Sequence, residues 1–231
     1  MDTTTLHYLY DPLCGWCYGA APLLRAGCEI LPVRAHGGGM MAGASRQRVT
    51  PQLREFVKPH DERIAQLSGQ HFGTAYLDGL LRDTSAVFDS APPTAAMLAA
   101  EQIAGRGLEM LAQLQVAHYV EGRRIADRAV LSEVAAALGL DSAAFAEALE
   151  RQSGEALQAH FDATRALMAQ VGAQGFPTLV LETTGRLQIV DFAAYLGRPQ
   201  EFQNWLRRQT NVSAASAGAE LFGCDANGCV V

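Results

Sequence analysis

The stretch Leu6-His7-Tyr8-Leu9-Tyr10-Asp11-Pro12-Leu13-Cys14-Gly15-Trp16-Cys17 decides the fold. Leu6 to Tyr10 is aromatic and apolar and stops at Asp11-Pro12, which reads as a strand. From Cys17 to Glu29 the apolar spacing suits a helix with Cys14 at its mouth. Ile30 to His36 reads as a second strand, closed by Gly37-Gly38-Gly39. Strand, helix, strand is the opening of an α/β domain with a parallel pair. Two thiols at C-x-x-C spacing on a first helical turn can close a small disulfide ring. A helix N-terminus carries roughly half a positive charge, which favours the thiolate at Cys14. That thiolate can attack a disulfide, and Cys17 can resolve the mixed intermediate.

Outward from this stretch the pattern changes. From about Thr50 to Val171 it is almost entirely helical. Pro92-Pro93 opens one helix, Leu108 to Val120 makes another, Asp127 and Asp141 stand at N-cap positions, and a longer helix runs from Ser153 to Gly172. Strand character returns after Gly175-Phe176-Pro177: Thr178 to Glu182 and Arg186 to Val190 read as a hairpin. Gln200 to Arg208 is a last short helix, with Trp205 in its core face. Thr210 to Gly223, small and polar, reads as a flexible linker. It leads to Cys224 and Cys229, spaced C-x4-C around a turn-forming Asp-Ala-Asn-Gly. The expected organisation is a domain made of 1–48 and 173–210, a helical insertion over 49–172, and a tail over 211–231.

Strand, C-x-x-C and helix, with Gly175-Phe176-Pro177-Thr178 ahead of the returning hairpin, resemble the thioredoxin fold. The helical insertion, with its stretch from Tyr119 to Leu131, is similar to that of the DsbA-like thiol–disulfide oxidoreductases, and the C-terminal C-x4-C resembles the FrnE-type branch. The resemblance implies an α/β thioredoxin fold interrupted by a large all-helical insertion. It implies that Pro177 is cis and faces the cysteines, leaving backbone groups beside it free to grip a substrate. Cys14 would be the nucleophile and Cys17 the resolving thiol. Trp16, Phe176, Pro177 and Thr178 would line the substrate groove, and Cys224 and Cys229 would form an auxiliary redox pair. Gly15-Trp16 stands where periplasmic oxidants of the family commonly carry Pro-His, which points away from strong oxidising power.

Composition bounds the alternatives. The 231 residues carry 18 basic and 24 acidic side chains, a net charge of −6, with 49% hydrophobic residues. That supplies a core and excludes global disorder. No basic run offers a nucleic-acid footprint or a polybasic membrane anchor, and no window approaches the ~18 apolar residues of a membrane span. The single lysine, Lys58, lies in no phosphate loop. Gly37-Gly-Gly-Met-Met-Ala42 has dinucleotide-fingerprint spacing but follows the second strand, so it fails the context test. Cys28 reads as a small buried hydrophobe, and His7 and His36 as packing or solvated residues. The expectation is therefore a cytosolic reductase or isomerase acting on disulfide-bearing proteins or low-molecular-weight thiols. It would use no cofactor beyond its own redox-active disulfide, with glutathione a candidate co-substrate, and no metal, nucleic acid or membrane. The runner-up is a glutathione-dependent transferase or isomerase of the kappa or hydroxychromene-carboxylate isomerase type, which resembles this scaffold but typically places Ser at the position of Cys14. A third reading joins Cys14, Cys17, Cys224 and Cys229 in a four-thiolate metal module.

Overall fold

The computed structural model describes residues 4–220, with side chains to residue 210. Strand β1 (Thr5–Tyr10) is buried along its whole length. It runs parallel to β2 (Val33–Gly37), with Leu6 opposite Val33 and Tyr10 opposite Gly37. On its other side it pairs antiparallel with β5 (Thr178–Thr183), which turns back as β6 (Arg186–Val190). The sheet order is β2-β1-β5-β6. Alternation sends Leu6, Tyr8 and Tyr10 to one face. There they meet Leu23 and Leu24 of α1 (Gly15–Cys28) and Phe202 and Leu206 of α8 (Pro199–Glu220). Gly27 lets α1 close on the sheet, since a Cβ there would stand 3.3 Å from Leu6 and 3.7 Å from Phe202. The opposite face carries His7, whose ring bonds His36 (2.9 Å) and Glu182 (2.8 Å).

Between β2 and β5 the chain builds α2 (Pro51–Ser68), α3 (Ala91–Ala104), α4 (Gly107–Tyr119), α5 (Arg128–Ala137), α6 (Ser142–Arg151) and α7 (Glu155–Val171). The starts follow local chemistry. The Thr50 hydroxyl accepts from the Leu53 amide ahead of Pro51, prolines occupy the first turn of α3, and the Asp141 carboxylate accepts from the Ala144 amide at 2.8 Å. Asp127 occupies the N-cap of α5 without a side-chain cap bond. Two short strands also lie between β2 and β5: β3 (Gln47–Arg48) and β4 (Val87–Phe88) make a two-stranded antiparallel ribbon. Tyr18 of α1 reaches into the insertion, stacking on Tyr119 at 4.9 Å and edge-on to Phe72. The insertion's core is thus continuous with the helix that carries the cysteines.

Three expectations are corrected. The stretch from Thr210 onward is helical as far as Glu220, extending α8 rather than forming a linker. It contains no proline, and its alanines are the strongest helix formers. Cys28 is exposed, because α1 turns Gly27 onto the sheet and ends one residue later. Trp205 is half-buried, packed beside Tyr195 and Phe202, while Phe202 and Leu206 fill the core. Cys224 and Cys229 lie outside the described residues.

Candidate active site

Cys14 is the N-cap of α1, in extended backbone at φ −90°, ψ 113°. Its sulfur accepts from the Cys17 amide at 3.3 Å, so the first turn of the helix points a donor at it. Opposite Cys14 the Phe176–Pro177 bond is cis, and the Phe176 carbonyl accepts from Cys14 Sγ at 3.4 Å. Residues 162 apart in sequence are therefore joined at the thiol. Both cysteines are free thiols. Cys14 keeps 7% of its surface and Cys17 none. Burial, followed by the hydrogen bond and charge of Cys14, pushes the Cys17 thiol well above its usual range. The arrangement separates the roles physically: one thiol lies at the helix mouth, and the other is held as a neutral thiol behind it.

The other expected groove residues gather here too. Pro177 and Thr178 are buried, and the Thr178 hydroxyl donates to Gly175 O at 2.8 Å, which closes the loop on itself. Phe176 and Trp16 are half-buried, and Trp16 packs against both the sheet core and the insertion core. The backbone of Cys17 is held from below, where the buried Tyr8 hydroxyl donates to its carbonyl at 3.3 Å.

Sequence reasoning passed over two residues that shape this site. Asp11, read only as a strand stop, is fully buried and accepts three hydrogen bonds. These come from the Leu13 amide (2.9 Å), the Met40 amide (2.6 Å) and the Ser90 hydroxyl (2.8 Å). It ties the end of β1 to the loop after β2 and to the start of α3. Burial raises its carboxyl, and the three donors pull the other way. Gly38 lies directly under the Phe176 ring, since a Cβ there would fall 1.8 Å from Cζ. The glycine run with nucleotide-fingerprint spacing therefore makes room for the Phe176 ring. Among the described residues no group of three or more His, Cys, Asp or Glu could hold a metal ion. The four-thiolate reading depends on Cys224 and Cys229, outside those residues. No helix among them is long and apolar enough to cross a membrane.

The DSBA-like thioredoxin domain family matches residues 63–196. The cytosolic disulfide reductase DsbM from Pseudomonas aeruginosa is 61% identical over 90% of this chain and 99% of its own, with a TM-score of 0.86. A second structure of DsbM, with GSH, shows 60% identity, the same coverage and a TM-score of 0.84. A 2-hydroxychromene-2-carboxylate isomerase shares the fold alone, at 18% identity, 90% and 98% coverage and a TM-score of 0.56. No curated protein matches the chain.

Proposed function

The chain belongs to the DSBA-like thioredoxin family, and from that premise we propose that it is a disulfide reductase of the cytosol, recharged by glutathione. The similarity to DsbM supports the direction of electron flow and the compartment, and the DsbM structure with GSH supports the thiol. The observation that carries the reading is the Cys14 sulfur, seated between the Cys17 amide and the Phe176 carbonyl.

In the proposed cycle the Cys14 thiolate attacks one sulfur of a substrate disulfide, R–S–S–R′. A Cys14–S–S–R bond forms, and R′–S⁻ leaves and takes a proton. Cys17 gives up its proton and attacks the Cys14 sulfur, which expels R–S⁻ and leaves the pair oxidised. One glutathione thiolate then opens the Cys14–Cys17 disulfide at Cys14. A second attacks the glutathione sulfur and leaves as glutathione disulfide. The net reaction is one disulfide reduced to two thiols, and two glutathiones oxidised to one disulfide. Because Cys17 is a shielded thiol of raised pKa, it reacts once Cys14 carries a leaving group beside it and not with substrate directly.

The test is glutathione-dependent reduction of a small disulfide such as hydroxyethyl disulfide, followed by the formation of glutathione disulfide. Cys14→Ser and Cys17→Ala are both expected to abolish turnover. Full turnover in Cys17→Ala would move the reading to a single-thiol glutathione enzyme, and no turnover by the unaltered chain would overturn it.

A further inference from the structure

Asp61 of α2 is 4% exposed, although it belongs to the helical insertion and not to the thioredoxin core. Its Oδ2 accepts from the Tyr76 hydroxyl at 2.9 Å. Its Oδ1 lies against the backbone of Gly15, 2.8 Å from where a Cβ on that residue would stand, with Ile64 at 3.0 Å. Glycine between the cysteines is thus the residue that lets this carboxyl approach. The proline found there in periplasmic oxidants would meet it. A buried acid pressed on the dipeptide between two redox thiols, and unused by the exchange chemistry above, asks for a role.

We propose that Asp61 is a positioning residue of the redox pair, whose charge, delivered at Gly15, sets how readily Cys14 becomes a thiolate. The proposal rests on the reductase reading of Cys14. Its physical basis is that a carboxylate in a poorly hydrated pocket beside a nascent thiolate opposes it, whereas the neutral acid does not. Burial raises the Asp61 carboxyl to about 7, with the Tyr76 hydroxyl partly offsetting this. The switch between the two states therefore falls near neutrality. The groups around it are few. From α1 it meets the backbone of Gly15, which lies between Cys14 and Cys17 in sequence, and from the turn at 75–79 comes Tyr76. From α4 comes Tyr119, which feels Asp61, Cys14 and Cys17 together, while His118 packs on Tyr76 and Tyr119. On α2 itself Lys58 is occupied by Glu62 at 4.0 Å, and Arg54 reaches Asp78. Among the described residues Asp61 makes no ion pair, and its hydrogen-bond partner is the Tyr76 hydroxyl.

Below about pH 7 Asp61 is neutral and does not oppose a negative charge at the mouth of α1. Above it the carboxylate is charged, and each further gain in thiolate is held back. A coupling of about one pK unit corresponds to about tenfold in thiolate. The experiment is the rate of Cys14 alkylation by iodoacetamide in the reduced full-length protein from pH 5 to 9, read by peptide mass spectrometry. The unaltered chain is expected to give a profile with an added inflection near pH 7. Asp61→Asn, which can still accept from Tyr76, should give a single titration and label up to about tenfold faster above pH 7. Tyr76→Phe removes the hydroxyl that favours the carboxylate, so the inflection should move to higher pH. Superimposable profiles for the unaltered chain and Asp61→Asn overturn the proposal while leaving the reductase reading intact. A Cys14 that alkylates at no pH overturns that reading itself.

Discussion

Replacing Gly38 by alanine tests how the Phe176 ring is seated. Carbon atoms rest about 3.5 Å apart, whereas the new Cβ would fall 1.8 Å from Cζ of Phe176, with the two Cε atoms at 2.5 and 2.7 Å. The ring must therefore retreat by about 1.7 Å. Gly38 has little freedom to yield, because its amide donates to Tyr10 O at 2.8 Å at the end of β1. Overpacking of this kind costs about 1–3 kcal/mol. For a chain of this length that is a fall in Tm of roughly 3–9 °C. The displaced residue also carries the carbonyl that accepts from Cys14, so turnover should fall with stability. A control separates the two effects. Gly139 has φ +72° and open space around it, so Gly139→Ala should cost about 1 kcal/mol of backbone strain and leave turnover alone. Adding Phe176→Ala to Gly38→Ala should recover stability without recovering turnover, a coupling readable as a double-mutant cycle. The assays are thermal unfolding and disulfide reduction with glutathione. A Gly38→Ala protein that melts and turns over like the unaltered chain would refute the packing argument.

Asp11→Ala leaves two amides and the Ser90 hydroxyl without their acceptor in a buried site, so chemical denaturation should show a loss of about 2–4 kcal/mol. A loss under about 0.5 kcal/mol would contradict the role given to Asp11. Asp61 in the folded chain holds its proton to about pH 7, where an unfolded carboxyl has already released it, so ionisation costs stability as pH rises from about 4 to 7. Asp61→Asn should therefore be the more stable protein at pH 8, by up to about 4 kcal/mol, with the advantage fading toward pH 4; a pH-independent difference would contradict this. In thiol labelling of the reduced protein Cys14 should react first. Cys28, exposed but with its thiol raised chiefly by burial, should follow only as the solution is made alkaline, and Cys17 should resist. Early labelling of Cys17 would reverse the assignment of the two roles.

What was legible in the sequence was local. The strand that stops at Asp11-Pro12, the cysteines opening a helix and the proline before a hairpin each carry their signal within a few residues. Their order then points to the thioredoxin fold. The hairpin turn shows the same economy, with Thr184 at φ 51° and Gly185 at φ 77° making the reversal. The elements that escaped are those made by distance or brevity. Asp11 meets Ser90 79 residues away, and no periodicity registers a single buried acid. Gly38 under Phe176 and Gly15 under Asp61 are glycines chosen for a neighbour's volume, which the chain reveals only once folded. At two residues each, β3 and β4 are too short for alternation to show. Small polar residues after Thr210 have a linker's composition, yet the alanines among them favour helix and continue α8.

In the proposed cycle Cys14 forms the covalent intermediate and Cys17 resolves it. The most direct measurement of these roles is mass spectrometry of Cys17→Ser and Cys14→Ser after incubation with glutathione disulfide, under non-reducing conditions. Cys17→Ser is expected to carry one stable glutathione, mapped to the peptide containing Cys14, because the thiol that would release it is gone. Cys14→Ser is expected to carry none at Cys17, whose sulfur is fully buried. A glutathione found on Cys17 in Cys14→Ser, or no adduct at Cys14 in Cys17→Ser, would contradict the account.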